Sequence, residues 1–159
     1  MVNTPPAMGH MLRMSRTFPA PRQRVFDVWT QPEHLSRWWG VDKDFTATIV
    51  EVDLRVGGRY RLGMKAPDDS LHIAVGEFRE VVPPERLVYT WSWEQGLPGA
   101  SEMGETLVTI EFLDRGDSTE IILTHELFPT EEVRDQHYQG WTMMMDNNFG
   151  PAITCAESD

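Results

Sequence analysis

The sequence predicts an α+β domain. A curved antiparallel sheet of about six to seven strands wraps a long C-terminal helix, and two short helices follow the first strand. Three observations predict it. Strand-like segments joined by hairpin-type turns dominate the middle of the chain, without the strand–helix alternation of a parallel sheet. A helical segment beginning at Pro129-Thr130-Glu131-Glu132 carries an apolar stripe covering roughly half its circumference, which needs a large concave partner. The 159 residues suffice for one core with volume left for a ligand.

The elements follow in order. Residues 1–9, with Pro5, Pro6 and Gly9, read as a loose tail, and 10–155 as a single domain. Met11, Leu12, Met14 and Phe18 suit a first strand. Pro21 suits a helix start, and Val25, Phe26, Val28 and Trp29 follow at helical spacing. Thr30-Gln31-Pro32-Glu33 opens a second helix carrying Leu35, Trp38 and Trp39, which Gly40 ends. Ile49, Val50 and Val52 lead to the Gly57-Gly58 turn, and Tyr60, Leu62 and Met64 alternate with Arg59 and Arg61. Leu71 to Val82 reads as one long strand, and Pro83-Pro84 separates it from the next, Leu87 to Trp93. A Gly/Pro-rich loop from Gln95 to Gly99 follows, then Val108, Ile110 and Phe112 alternate with polar residues. A turn at Asp114 to Asp117 joins this strand to Ile121 through Leu127. On the last helix Val133, His137, Tyr138, Gly140, Trp141, Met144, Met145 and Phe149 form the stripe, which stops at Gly150-Pro151; Thr130 is the predicted cap.

Charge and composition narrow the function. A formal net charge of −11 repels nucleic acid and acidic lipid surfaces. No apolar run approaches the roughly 20 residues of a membrane span, and Met1 to Gly9 has neither the basic start nor the apolar stretch of a secretory signal. Cys155 is the single cysteine, so no internal disulfide forms and cytoplasmic residence is expected. The five histidines lack metal-ligand spacing, and no phosphate loop or dinucleotide fingerprint occurs, so neither metal nor cofactor is expected. Met143 on the polar arc of the last helix leaves monomer and homodimer both open.

The stretch from Phe18 to Trp39 resembles the pattern Phe-x-Ala-Pro-x-x-x-Val-Phe-x-x-Trp-Thr-x-Pro-Glu-x-Leu-x-x-Trp-Trp of the homologues of the activator of the heat-shock chaperone ATPase. Asp53-Leu-Arg55-Val-Gly57-Gly58-Arg59-Tyr60 is similar to that family's hairpin, and Gly76-Glu77-Phe78 with Pro83 to Trp91 to its strand-turn-strand signature. Leu123-Thr124-His125 and Gly140-Trp141 resemble its closing motifs. Met143-Met144-Met145 and the segment from Asn147 to Pro151 depart from its Leu-rich helix end. The resemblance implies the helix-grip fold of the START/polyketide-cyclase (SRPBCC) superfamily, with an internal cavity. The extra N-terminal domain of the eukaryotic chaperone activators is not expected here, and a chaperone contact is the least favoured partner.

On that fold the expected function is binding of a small hydrophobic or aromatic molecule between sheet and C-terminal helix. Trp141, Met144 and Met145 would line the cavity from the helix. Tyr60, Met64, Trp93, Ile110 and Phe112 would line it from the sheet, with Trp38 and Trp39 at the mouth; Trp29 and Trp91 read as ordinary core. His125, among Ile121, Leu123 and Leu127, is either the cavity's polar anchor or a neutral histidine bonded to a neighbouring strand or the helix. Glu77 either sits in the cavity with a raised pKa or pairs with Arg79, Arg59 or Arg61 outside. His125 and Glu77 are the acid–base candidates of the alternative, a cyclase- or aromatase-like enzyme. Asp53 and Arg55 read as a turn-stabilising pair, and Glu102 to Glu105 as a solvated acidic loop.

Overall fold

The computed structural model describes residues 10–40, 43–95 and 104–153. The expected tail, the Gln95–Gly99 loop from residue 96 on, Glu102 and Cys155 lie outside them. Strand β1 (His10–Phe18) is followed by helices α1 (Arg22–Thr30) and α2 (Pro32–Trp38), then β2 (Thr46–Val52), β3 (Arg59–Lys65) and β4 (Leu71–Val82). Strands β5 (Arg86–Gln95), β6 (Thr106–Asp114) and β7 (Thr119–Phe128) complete a sheet of order β1-β7-β6-β5-β4-β3-β2, antiparallel throughout. Helix α3 (Glu131–Met144) runs on through a π turn (Met145–Phe149) and a further helical turn at 150–153. This is an α+β helix-grip fold.

Period-two patterning builds the inner face of the sheet. Val108, Ile110 and Phe112 of β6 stand opposite His125, Leu123 and Ile121 of β7, and all six are fully buried. Each such apolar side chain contributes about 1.5–3 kcal/mol. Tyr60, Leu62 and Met64 of β3 are buried likewise. Alternation fails at one point in β7. Leu127 adopts φ 75° and turns to solvent, and Phe128 takes the fully buried position instead. The β1–β7 register shifts by one residue at the same place, between His10↔Phe128 and Leu12↔His125, so this is a bulge. Leu127 therefore does not share the inner face with His125.

Two glycines answer to close approach. A Cβ at Gly58 would lie 2.0 Å from the Asp53 carbonyl oxygen, inside the turn that Gly57 opens at φ 85°. A Cβ at Gly76 would lie 1.9 Å from the Thr90 carbonyl oxygen and 2.7 Å from the Tyr60 ring. The Tyr60 ring thus lies over bare backbone, and its hydroxyl donates to the Thr90 carbonyl at 2.6 Å.

Helix α3 starts as expected, with the Val133 N–H donating to Thr130 Oγ1 at 3.1 Å and Glu131 and Glu132 at the positive end of the dipole. Its buried stripe is narrower than the sequence suggests: Trp141, Met144, Met145 and Phe149 are buried, while Tyr138 is 44% exposed. The helix does not stop at Gly150-Pro151. In the π turn the Gly150 N–H reaches back five residues to the Met145 carbonyl. One extra residue in the turn rephases the helix. Phe149 and Ile153 stay in the core, and Asn148 Nδ2 donates to the Gly40 carbonyl at 2.6 Å, just beyond α2.

Candidate functional site

Two parts of the interior carry the residues of interest. In the first, β5, β6, β7 and α3 meet around two histidines. Trp141 Nε1–H donates to His125 Nδ1 at 3.1 Å, so the His125 proton must sit on Nε2. That N–H faces Thr106 Oγ1 at 2.7 Å, and the Thr106 hydroxyl donates to the Trp91 carbonyl at 2.8 Å. Trp93 Nε1–H donates to His137 Nε2 at 2.9 Å, which places the His137 proton on Nδ1, facing the Val133 carbonyl at 2.9 Å. Both tautomers follow from the partners.

The two imidazoles lie 5.4 Å apart, centre to centre, with Phe128 against both. Burial pushes the His125 pKa well down, and the neighbouring His137 adds to the effect. Burial lowers His137 too, opposed by its bond to the Val133 carbonyl. Both rings are therefore neutral at pH 7, with all four nitrogens engaged. Of the two readings of His125, the structure displays the neutral histidine bonded to a neighbouring strand and the helix.

Glu77 lies on the outer face of β4. Its carboxylate is 3.9 Å from Arg79, and its N–H donates to Thr90 Oγ1 at 2.9 Å. The inner face here belongs to His72, Ala74, Gly76 and Phe78, so Glu77 has no route into an apolar cavity; it takes the surface pairing. Asp53 and Arg55 form an exposed ion pair at 2.9 Å beside the Gly57-Gly58 turn, and Glu105 faces Arg79 at 3.8 Å.

The second part is a cavity of about 30 Å³ between the helix pair α1–α2 and strands β2 to β5. Trp29 and Thr30 of α1, Leu35 of α2, and Trp39 just after it form the helical wall. Val52, Tyr60, Leu62, Phe78, Leu87 and Tyr89 form the strand wall. Among the described residues no charged side chain borders it. Its volume matches about two water molecules. Thr30 Oγ1–H donates to the Phe26 carbonyl at 2.8 Å, and Tyr60 is engaged with Thr90. Burial raises the pKa of the Tyr60 and Tyr89 phenols, so both stay protonated.

Of the residues predicted to line a cavity, Tyr60 and Trp39 border this one. The others lie elsewhere in the core. Trp38 donates Nε1–H to the Val28 carbonyl at 2.8 Å, and Phe112 packs edge-on against Phe26 at 5.2 Å. Met64, Ile110, Met144 and Met145 are buried, and Trp93 is held by His137. Trp29, read from the sequence as ordinary core, stacks on Trp141 at 6.1 Å and 18° while also bordering the cavity. Sequence reasoning missed Thr30, Leu35, Val52, Leu62, Phe78, Leu87 and Tyr89. They come from six different elements, and no single segment of the sequence marks them out.

Among the described residues no cluster of three or more histidine, cysteine or acidic side chains is placed to hold a metal, and no helix is long and apolar enough to cross a membrane.

Solved structures of similar shape span nearly the whole chain. A protein from Chromobacterium violaceum is 26% identical with TM-score 0.78, covering 90% of this chain and 96% of that one. CalU16 from Micromonospora echinospora is 24% identical with TM-score 0.67, covering 90% and 75% respectively. The AHSA1 protein from Silicibacter pomeroyi is 22% identical with TM-score 0.76, covering 94% and 100%. No curated protein matches. The family model of the activator of Hsp90 ATPase homolog 1-like proteins matches residues 19–149, and the chain belongs to that family.

Proposed function

We propose that this protein binds a small, neutral, apolar or aromatic molecule in the cavity between α1–α2 and strands β2 to β5. One observation carries the reading: five aromatic side chains, Trp29, Trp39, Tyr60, Phe78 and Tyr89, converge on one space with no charge among the described residues of its walls. The family's fold supports a ligand-binding role. A ligand of ring size exceeds the 30 Å³ available, so its binding displaces side chains. The strand wall is tied by ladder hydrogen bonds, and the helical wall of Leu35 and Trp39 is the side that yields.

Native mass spectrometry of the purified protein tests this, and a co-purified small neutral molecule is the expected result. The second test is a tryptophan-fluorescence titration with the neutral dye Nile red. Val52, half-buried in the wall, is the position to block: Val52→Trp should abolish dye binding and leave the fold intact. Unchanged binding in that variant would remove the cavity from consideration.

A further inference from the structure

Four buried side-chain polar atoms have no hydrogen-bond partner among the described residues: Arg24 Nη1, Trp39 Nε1, Trp91 Nε1 and Thr142 Oγ1. Of these residues, only Trp39 belongs to the cavity wall. Its side chain is 3% exposed, so water outside the protein does not satisfy the indole. A buried donor without an acceptor is destabilising, and native structures hold few of them.

In the wall the Trp29 indole N–H donates to the Tyr89 hydroxyl, and two further donors are engaged with carbonyls: the Thr30 hydroxyl with that of Phe26 and the Tyr60 hydroxyl with that of Thr90. Neither can turn to a ligand without orphaning a buried carbonyl. His125, the anchor the sequence suggested, has both nitrogens engaged. Trp39 is different because a ligand acceptor would complete its hydrogen bonding at no loss to the protein. With no cation or anion among the described residues of the lining, a carboxylate or an ammonium would be stripped of water without compensation.

We infer that Trp39 is the specificity-determining residue of the cavity, and that its indole N–H selects an apolar ligand bearing a neutral acceptor oxygen, such as a ketone, ester or aryl ether. The inference rests on the cavity being the binding site. An indole N–H accepts nothing and carries no net charge, so it discriminates for an acceptor and against a bare hydrocarbon or an alkylammonium.

The test uses acetophenone and isopropylbenzene, which have nearly the same shape but carry a carbonyl oxygen and a methyl group respectively. Affinities for the full chain and for Trp39→Phe are measured by 1H–15N NMR titration. The readout is the ratio of the two affinities, in which each probe's own desolvation cancels between proteins. The ratio in favour of acetophenone should fall about tenfold in Trp39→Phe. In the wild type, acetophenone should move the Trp39 Hε1 resonance downfield while isopropylbenzene should not, which decides the matter even if the variant folds poorly. A ratio unchanged within twofold, or a stationary Trp39 Hε1 under saturating acetophenone, overturns the inference and leaves the cavity standing. If neither probe shifts any residue of the wall, the cavity itself is not a binding site and the inference falls with it.

Discussion

The two histidines under α3 and the cavity under α1–α2 are neighbouring parts of one aromatic interior. Trp141 links them, bonding His125 on one side and stacking on Trp29, a residue of the cavity wall, on the other. They differ in what their polar atoms are doing. All four nitrogens of His125 and His137 have partners, with one chain running from Trp141 through Thr106 to the Trp91 carbonyl, although the Trp91 indole N–H beside them has none among the described residues. Around the cavity one indole N–H is left over. A saturated network holds strands to a helix, whereas an unsaturated wall next to a void leaves chemistry for something else to complete. The interest of a buried polar group thus lies less in its chemical type than in whether its hydrogen bonds are already made.

The largest expected effect falls on the saturated side. Trp141→Ala should destabilise by about 3–5 kcal/mol in denaturant unfolding, through the cavity it leaves and the His125 nitrogen it orphans. A sharper comparison sets Trp141→Phe against Trp39→Phe, which delete the same ring volume from two buried sites. Trp141→Phe strips His125 Nδ1 of its donor and should cost about 1–3 kcal/mol more than Trp39→Phe, whose lost N–H had no partner. Equal losses would dissolve the distinction between the two regions.

Acid should act on the same side. Both imidazoles are held below the ordinary value of 6.5, so between the folded and unfolded values the unfolded chain binds more protons. Stability should be full above about pH 6.5 and fall as the pH drops below it, by up to about 1.4 kcal/mol per pH unit for each histidine. Urea unfolding between pH 7.5 and 5 reads this directly, and a His137→Gln variant should show a shallower slope. The smallest effect concerns the helical wall. Asn148→Ala removes the bond to the Gly40 carbonyl and should cost about 1 kcal/mol, with faster amide exchange confined to α2 and the residues after it.

Much of the fold was legible because its strands are half-buried. Leu71 to Val82 is marked off by the turns on either side, the Tyr60-Leu62-Met64 face by alternation, and the Thr130 cap by its residue types. What escaped was set by backbone conformation or by tertiary packing. The left-handed Leu127 trades its inner position to Phe128, and pairing of Gly76 with the buried Tyr60 and of Glu77 with the exposed Arg59 puts Glu77 on the outer face. The π turn carries helix α3 past a Gly-Pro pair that reads as a stop. The cavity was the least legible feature, because a void records where neighbouring side chains fail to fill space, and no single segment encodes that. His125 was recognised as buried and polar, yet its partners come from β6 and α3, so its role needed the assembled fold.

Gly76 carries a consequence of its own. It does not border the cavity, yet the Tyr60 ring rests directly on its bare backbone. A side chain there would strike the Thr90 carbonyl of β5 first, and the Tyr60 ring next. Glycine at this position thus lets two strands and a ring share one small space, and any other residue would part the backbone of β4 and β5 before it reshaped the cavity.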